Sequence, residues 1–420
     1  MLPSYLNEFL TTAKRVLLLQ GPHGPFFAQF GEWLTAQHGC QVFKLNFNGG
    51  DELFYPNDGV TALAYQQPES EFPAFLAQFI QDHDIDAVVC FGAYRAPHLM
   101  AKAVCAEHGK RPSFWVFEEG YLRPDYITFE RSGVNAHSLL PTQPEAYRQA
   151  YADLPVPMPP ETVATGFKPM AMMATRYYIA LHRRRRDYPH YGHHREHRFW
   201  VYAATWVYSG LKKLYCAQTE KRFIKQVNRG DLGQFFVVPL QVHNDSQVKI
   251  HCDYRSVASF LRSVLLSFSR HAPAGAKLVI KHHPMDRGSV SYRRLINKFI
   301  QHYHLHDRVF YVFDVPLPVL MRKGAGMVLL NSTSGLSAMI HHMPVKVLGH
   351  AHYDIAGLTD QQPLADFWRD PQRPNSTLFN AYRLYQLHQT QINGNFYGKV
   401  VWPAYAPSTK QVGEAARSDA

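Results

Sequence analysis

Short apolar runs alternate with segments of helical spacing in both halves of this chain, and this alternation limits the possible folds more than any other feature. The runs of the first half are Arg15–Leu19, Gln41–Phe47, Ala87–Phe91 and Ser113–Phe117. The runs of the second half are Phe235–Leu240, Lys277–Lys281, Val309–Phe313, Met327–Leu330 and Val345–Leu348. Buried strands that alternate with helices form parallel sheets with crossover helices. We therefore expect an α/β protein with two Rossmann-like domains that face each other across a cleft.

The chain length of 420 residues is compatible with two such domains. We expect an N-terminal Rossmann-like domain at residues 1–150 and a second one at residues 231–360. Between them, residues 151–230 combine a proline-rich connection with a basic and aromatic helical segment. Residues 361–420 are expected to form C-terminal helices and a polar tail.

Charge and cysteine usage limit the partners and the compartment. A net charge of +11 indicates an acidic partner, which composition alone leaves open between nucleic acid, anionic lipid and a charged small substrate. The 5 cysteines are scattered without a CxxC pair, which favours a reducing compartment and argues against structural zinc. The N-terminal segment lacks the features of a signal peptide, and no apolar run approaches the ~20 residues of a membrane span. We predict a cytoplasmic protein.

The segment from Phe167 to Cys216 is rich in basic and aromatic residues. It contains four consecutive arginines, Arg183, Arg184, Arg185 and Arg186, and several histidines and tyrosines. Basic residues beside aromatics suit the surface of an anionic bilayer. A solvated basic helix next to a packing helix explains the composition equally well, so both interpretations stay open.

A polar segment follows the first strand of the second half. After Phe235–Leu240 come Gln241, a candidate for binding the nucleotide-linked substrate, and then Asp245. Open α/β sheets place their ligands at the carboxyl ends of the strands. Asp245 is therefore the first candidate for a catalytic residue, although a lone carboxylate is often a helix cap or half of a salt bridge.

Two further polar segments follow strands of the second half. Asn331, Ser332, Thr333, Ser334 and Gly335 form a hydroxyl-rich turn before a helix, and Lys281 and His283-Pro284 end another strand. A cation, an imidazole and hydroxyls beside free N–H groups suit a phosphate. The turn alone would be read as a helix cap, and the lone histidine as structural. Their combination predicts the phosphate site of a nucleotide leaving group.

Glu118 and Glu119 follow the fourth strand of the first half. Adjacent side chains of an extended chain point to opposite faces, so one of the two carboxylates could serve as a general acid or base.

No DxD pair, the motif that would hold a metal-bound diphosphate, follows a strand of the predicted sheets. Asp51, Asp125, Asp253 and Asp286 each lack a second aspartate at that spacing. This pattern favours a metal-independent donor with one phosphate, and no cofactor is expected.

Several motifs occur in an order that resembles a known family. They are GPxGPFF (Gly21–Phe27), NFNGGD-x-x-FYP (Asn46–Pro56), FGAYRxxH (Phe91–His98), FEEGYLRPDYIT-x-E (Phe117–Glu130), PLQVHNDSQ (Pro239–Gln247), KHHPMDRG (Lys281–Gly288) and NSTSGLSAM (Asn331–Met339). Together they resemble the capsule polysaccharide β-Kdo transferases of the KpsS/LipB type, over about Arg15 to Asp354.

The resemblance implies a two-domain GT-B-like retaining glycosyltransferase. Such an enzyme moves Kdo from CMP-Kdo to phosphatidylglycerol or lyso-phosphatidylglycerol at the inner face of the inner membrane, and starts the poly-Kdo linker of the capsule. A KpsC-type transferase and the capsule ABC exporter would be its partners. Residues 1–150 would form the acceptor-side domain and residues 231–360 the CMP-sugar-binding domain. Asp245 would be the nucleophile, Glu118 or Glu119 would match the catalytic acid in the family's acidic pair before glycine, and His283 with Ser332–Ser334 would be the phosphate contacts. Arg95, Arg123 and Asn48 would be candidates for the Kdo carboxylate or the acceptor, although a structural salt bridge is an equal reading for the arginines.

Other functions remain open at this stage. A non-catalytic adaptor of capsule export would bind a lipid-linked glycan through the basic segment and would not need Asp245. A sialyl-type transferase would also use a CMP-sugar. Nucleic-acid binding has only the net charge in its favour, because no recognition motif is present, and we do not expect it.

Overall fold

The structure is a computed structural model that describes residues 3–108, 112–192, 199–243 and 252–403, without the side chains of residues 199–204 and 206. The chain forms two compact units. The first comprises Met1–Arg131, Pro159–Tyr191 and His388–Ala420, and the second comprises Ser132–Met158 and Gly192–Leu387. Part of the predicted connection, residues 159–191, thus belongs to the first unit.

Nine of the described strands follow the apolar runs of the sequence, and three more lie outside these runs. The strands are β1 (Arg15–Leu18), β2 (Gln41–Asn46), β3 (Ala62–Ala64), β4 (Ala87–Phe91), β5 (Ser113–Glu119), β6 (Tyr126–Arg131), β7 (Phe235–Pro239), β8 (Lys277–Lys281), β9 (Val309–Val312), β10 (Gly326–Leu329), β11 (Val345–Val347) and β12 (Gln391–Asn393).

Helices connect most of these strands. They are α1 (Ser4–Thr12), α2 (Phe26–His38), α3 (Gly49–Phe54), α4 (Phe72–His83), α5 (Ala96–Glu107), α6 (Pro144–Tyr151), α7 (Phe167–Arg183), α8 (Phe199–Thr219), α9 (Lys221–Arg229), α10 (Val257–His271), α11 (Arg293–His302), α12 (Leu317–Met321), α13 (Ser334–Ile340), α14 (Leu364–Phe367) and α15 (Ser376–Thr390).

The first unit contains a seven-stranded sheet in the order β12-β6-β5-β4-β1-β2-β3. The five neighbouring strands β3, β2, β1, β4 and β5 run parallel to one another. Strand β6 pairs antiparallel with both β5 and β12. Aromatic residues of α1, α2, β5 and β6 form its core, with Phe9 and Phe30 packed against Trp115, Phe117 and Phe129.

The second unit contains a five-stranded, all-parallel sheet in the order β11-β10-β7-β8-β9. If the strands of each sheet are numbered along the chain from one, the five parallel strands of the first sheet and the five strands of the second both lie in the order 3-2-1-4-5. In both units the order reverses beside the first strand, and such a reversal opens a crevice at the carboxyl ends. The prediction of an α/β protein with two Rossmann-like units is confirmed.

The buried faces of helices and strands supply the core of the second unit. Phe260 and Phe268 of α10 lie in one cluster with Phe236 of β7 and Trp368. The Ser256 side chain accepts a bond from the Ser259 N–H at 3.1 Å, which caps the first turn of α10. A serine at this position satisfies a backbone donor that would otherwise lack an intrahelical partner.

Two features of the fold differ from the sequence-based expectation. The predicted C-terminal helix ends at Thr390, because Gln391–Asn393 forms β12 and pairs with β6 of the first unit. The antiparallel strand β6, Tyr126–Arg131, was not expected either. In the described ranges, no helix is long and apolar enough to cross a membrane.

Candidate functional site

The predicted nucleophile, Asp245, lies outside the described residues, which end before it at His243 and resume at Cys252. The strand that leads to it is described. All five residues of β7 are buried, and β7 is the central strand between β10 and β8. The chain therefore enters this segment from the point of the second sheet where the strand order reverses. The catalytic role of Asp245 remains a prediction.

Gln241 and Asn331 meet across this point of the sheet. The Gln241 amide Nε2 donates a hydrogen bond to Asn331 Oδ1 at 2.9 Å. Gln241 follows β7 and Asn331 follows β10, so the contact joins the carboxyl ends of two neighbouring parallel strands. The Gln241 Oε1 atom is buried and has no hydrogen-bond partner in the part of the chain that the structure describes. A buried acceptor of this kind is suited to a ligand O–H or N–H donor.

The hydroxyl-rich turn after β10 is folded around Ser332. Its Oγ accepts hydrogen bonds from the Ser334 N–H at 3.2 Å and from the Ser334 hydroxyl at 2.9 Å. The Tyr353 hydroxyl donates to the carbonyl of Ser332. Gly335 lies against the same tyrosine, since a Cβ there would come 2.7 Å from its hydroxyl oxygen. The turn is thus held in one conformation beside Asn331, where the sequence predicted a phosphate contact.

Lys281 is directed into the protein. Its ammonium donates to the carbonyl oxygens of Phe313 at 2.6 Å and His282 at 3.3 Å, and the residue is 8% exposed. Burial lowers the pKa of Lys281 to about 8. The predicted phosphate contact of this side chain is therefore replaced, in this conformation, by two backbone carbonyls.

His282, which the sequence analysis did not select, is buried beside Lys281. Its Nδ1 lies 2.6 Å from the Tyr311 hydroxyl, and burial lowers its pKa to about 4. His283 occupies the next position, and its Nδ1 accepts the N–H of Met285 at 3.2 Å at the start of a 3-10 turn that contains Pro284. His282 is thus packed inside the unit, while His283 caps the turn that directly follows the carboxyl end of β8.

A histidine–carboxylate pair that sequence reasoning missed lies at the same edge. Asp286 accepts the backbone N–H of His243 at 2.7 Å, and the His243 Nδ1 lies 2.7 Å from the other carboxylate oxygen. The Asp286 side chain is only 2% exposed, whereas that of His243 is 39% exposed. An imidazole whose Nδ1–H is held by a carboxylate is fixed in orientation, with Nε2 as the remaining acceptor. This contact fixes the chain two residues before Asp245.

Glu118 and Glu119 lie at the end of β5 in the first unit. Glu118 is paired with Thr128 and Glu119 with Ile127 of β6, so the two side chains leave opposite faces of the sheet. Burial raises the pKa of Tyr94, and the Glu118 and Glu130 carboxylates raise it further, which places Glu118 on the Tyr94 side. Glu130 is fully buried. The choice between Glu118 and Glu119 as a catalytic acid stays a prediction.

The two arginines that the sequence predicted as contacts of a substrate carboxylate both donate to backbone carbonyls. Arg95 donates to the carbonyl of Gly21 at 3.3 Å, which joins the loops that follow β4 and β1. Arg123 donates to the carbonyl of Gly120 at 3.2 Å and is exposed. Arg95 therefore lies where the strand order of the first sheet reverses, and Arg123 lies next to the end of β5.

Asn48 belongs to a buried network at the carboxyl edge of the first sheet. Its Oδ1 caps α3 through the N–H of Gly50 at 2.8 Å, and its Nδ2 donates to Asp51 Oδ2 at 3.1 Å. The Asp51 carboxylate also accepts from Gln20 Nε2 at 3.2 Å and from the Tyr177 hydroxyl at 2.8 Å. Asn48 is 1% exposed, so its amide serves the protein interior.

Helix α7 covers this network. A Cβ on Gly50 would come 2.7 Å from the Tyr177 ring, so only glycine permits α3 and α7 to approach this closely. At the end of α7, Arg184 forms ion pairs with Glu52 and with Asp187. The other three of the predicted membrane-contact arginines, Arg183, Arg185 and Arg186, are exposed.

Comparisons with known proteins agree on one family. The sequence profile described as "Capsule polysaccharide biosynthesis protein" matches residues 86–397. Capsule polysaccharide modification protein LipB of Neisseria meningitidis serogroup A is 51% identical over 406 residues, which cover 96% of both chains. Capsule polysaccharide export protein KpsS of Escherichia coli is 40% identical over 392 residues, or 92% of this chain and 98% of KpsS.

Solved structures are similar to this chain as well. Among them is KpsC of Thermosulfurimonas dismutans, a beta Kdo 2,7 transferase, with a TM-score of 0.41 and 15% identity over 88% of each chain.

Proposed function

The chain belongs to the capsule polysaccharide biosynthesis protein family, and on that premise we propose that it is a retaining β-Kdo glycosyltransferase. Its donor is CMP-Kdo, and its acceptor is phosphatidylglycerol or lyso-phosphatidylglycerol. The product is the first sugar of the poly-Kdo linker that carries the capsule. In this proposal the protein acts at the inner face of the inner membrane, with a KpsC-type transferase and the capsule exporter as partners.

The arrangement at the carboxyl edge of the second sheet is the observation that carries this proposal. Gln241 and Asn331 join the two strands at the reversal of strand order, and the Ser332 turn lies directly beside them. The His243–Asp286 pair holds the chain that leads to Asp245 at the same edge. Amide, hydroxyl and imidazole groups of this kind suit a nucleoside monophosphate sugar and need no metal ion.

The proposed reaction proceeds in two displacements. The Asp245 carboxylate forms a bond to the anomeric carbon of Kdo, and the bond from that carbon to the CMP phosphate oxygen breaks. The leaving CMP takes the bonding electron pair, and His283 and the Ser332–Ser334 turn stabilise its phosphate. The acceptor hydroxyl then attacks the same carbon, releases Asp245 and loses its proton to Glu118 or Glu119. Two inversions give net retention.

Mass spectrometry of the reaction products tests this proposal. The full chain is incubated with CMP-Kdo, generated in situ, and a fluorescent lyso-phosphatidylglycerol. We expect an acceptor heavier by one Kdo. Asp245→Asn should lower the rate by at least about a thousandfold, because the nucleophile is lost, while CMP binding persists.

Asp253→Asn is the matched control. Asp253 is an aspartate only eight residues after Asp245, but its side chain is 95% exposed. It should keep the wild-type rate. Full activity of Asp245→Asn would remove the nucleophile role. If the wild type binds the lipid but leaves CMP-Kdo intact, the result would instead favour a non-catalytic adaptor. If it transfers sialic acid from CMP-sialate and no Kdo from CMP-Kdo, the protein would be a sialyl-type transferase.

A further inference from the structure

Helix α8 exposes a continuous apolar face. Val207, Leu211 and Leu214 follow one another at helical spacing, and Tyr208 and Tyr215 flank them. These five side chains are between 55% and 69% exposed. Single exposed apolar residues are common on protein surfaces. A contiguous stripe of five on one helix face instead indicates a surface that a membrane or another molecule covers.

The opposite face of α8 is the one that packs on the protein, and it is the more polar face. Lys212 donates to the carbonyl of Arg287 at 3.0 Å and lies 4.4 Å from the centre of the Phe313 ring. Cys216 is 6% exposed, and a side chain at Gly288 would overlap the carbonyl oxygen of Thr205. The amphipathicity of α8 is thus reversed relative to that of a helix that packs on a protein core.

Positive charge borders this apolar face. Residues 199–219 contain no aspartate or glutamate, and Lys213 is exposed. Lys221, Arg222 and Lys225 of the following helix α9 are exposed as well. The acidic residue between the two helices, Glu220, is turned inward, where its carboxylate accepts the N–H groups of Phe313, Asp314 and Val315 at 2.7 to 3.0 Å. The surface around α8 is therefore apolar and cationic.

We propose that the α8 face formed by Val207, Tyr208, Leu211, Leu214 and Tyr215 docks into the headgroup region of an anionic bilayer. An apolar stripe with interfacial tyrosines and flanking lysines is the composition of helices that lie in the plane of a membrane surface. This face is a membrane contact in addition to the one predicted at Arg183–Arg186, which stays a prediction.

The position of α8 gives this contact a function, which rests on the proposed lipid acceptor. Its inward face lies on Arg287 and Gly288, directly after Asp286, which holds His243. The docked helix and the carboxyl edge of the second sheet therefore belong to one packed element. Docking would hold the donor site at the level of the lipid headgroups, where an acceptor hydroxyl is presented.

Vesicle flotation of the full chain tests the proposal. The vesicles consist of phosphatidylcholine alone or of phosphatidylcholine with phosphatidylglycerol. We expect the wild type to float with the anionic vesicles, and Leu211→Gln/Leu214→Gln to bind them at least about tenfold more weakly, because less apolar area is buried. Lys213→Gln should weaken binding less, and only at low salt.

Val156→Gln/Met158→Gln is the matched control. These two residues are 89% and 86% exposed, in the same unit but not part of α8, and their replacement should leave flotation unchanged. Equal flotation of the wild type and the α8 double variant would overturn the proposal. So would concentration-dependent dimers of the wild type that the α8 variant abolishes while no vesicles bind, since a second copy would then cover the face.

Transfer assays separate this proposal from the proposed function. The α8 double variant should keep its rate with a short-chain, water-soluble acceptor and lose about tenfold or more with acceptor embedded in vesicles. An equal loss with both acceptors would overturn docking as the cause. If the wild type modifies neither acceptor, the proposed reaction fails, and flotation still decides whether α8 binds the bilayer.

Discussion

The two sheets share one strand order, but the polar side chains at their carboxyl edges are arranged differently. In the first unit the Asp51 carboxylate is enclosed by donors from Gln20, Asn48 and Tyr177, all of them buried. In the second unit the polar groups form separate pairs, Gln241 with Asn331 and His243 with Asp286. A common topology therefore supports a closed structural network around Asp51 in the first unit and the candidate donor site in the second. Function depends on the residues at the edge and not on the fold.

The largest expected effect is the loss of stability from Asp51→Ala. It would remove the acceptor of the buried Tyr177 hydroxyl and of the Phe47 N–H, and one acceptor each from Gln20 and Asn48. We therefore expect the free energy of unfolding to fall by about 3 kcal/mol or more. Urea unfolding followed by circular dichroism measures it. Ser332→Ala in the second unit, where the hydroxyl only bonds a neighbouring serine, should cost about 1 kcal/mol or less. Equal losses in the two variants would contradict the contrast between the edges.

An intermediate effect is expected on catalysis from Asp286→Asn. The amide can still accept one hydrogen bond but no longer holds the His243 imidazole through a carboxylate, so kcat should fall about tenfold to a hundredfold. Steady-state transfer kinetics with CMP-Kdo provide the measurement. Asp51→Asn, the same chemical change at the other edge, should alter thermal unfolding but leave kcat within about twofold of wild type. An unchanged kcat in Asp286→Asn would remove the positioning role of this residue.

The smallest effect concerns a feature that the two sheets share. Lys44 on β2 and Lys281 on β8 are both buried on the second strand of their sheet, and burial lowers the pKa of each to about 8. Lysine in the unfolded chain keeps its proton up to about pH 10.4. Between these values the unfolded state binds more protons, so the stability of the protein should rise as the pH increases from about 8 to 10.

Lys44→Met and Lys281→Met should each make this rise shallower. Urea unfolding at pH 8, 9 and 10 gives the slope, and replacement of the exposed Lys298 by methionine serves as control. If only one of the two variants changes the slope, the two lysines are not equivalent. If neither does, the ammonium groups are hydrated in the folded state.

The sequence was sufficient to predict features that depend on local pattern. The apolar runs marked all the described parallel strands except β3. The polar residues after β7 and β10 marked an edge at which Gln241 and Asn331 meet. Pairings over long sequence distances were not predictable. Nothing in the sequence indicated that Asp286 contacts His243, which lies 43 residues earlier. Likewise, nothing local shows that the Lys281 ammonium turns inward to Phe313, because only the neighbouring strand supplies that carbonyl.

Strand β12 has a consequence for how the protein is made. The edge of β6 stays unpaired until residues 391–393 have left the ribosome, because these residues complete the first sheet. At ordinary rates of synthesis that delay is on the order of ten seconds or more. During this time the first unit presents an open strand edge to other nascent chains. A chaperone that covers β6 should therefore increase the yield of soluble protein, and a truncation before residue 391 should aggregate.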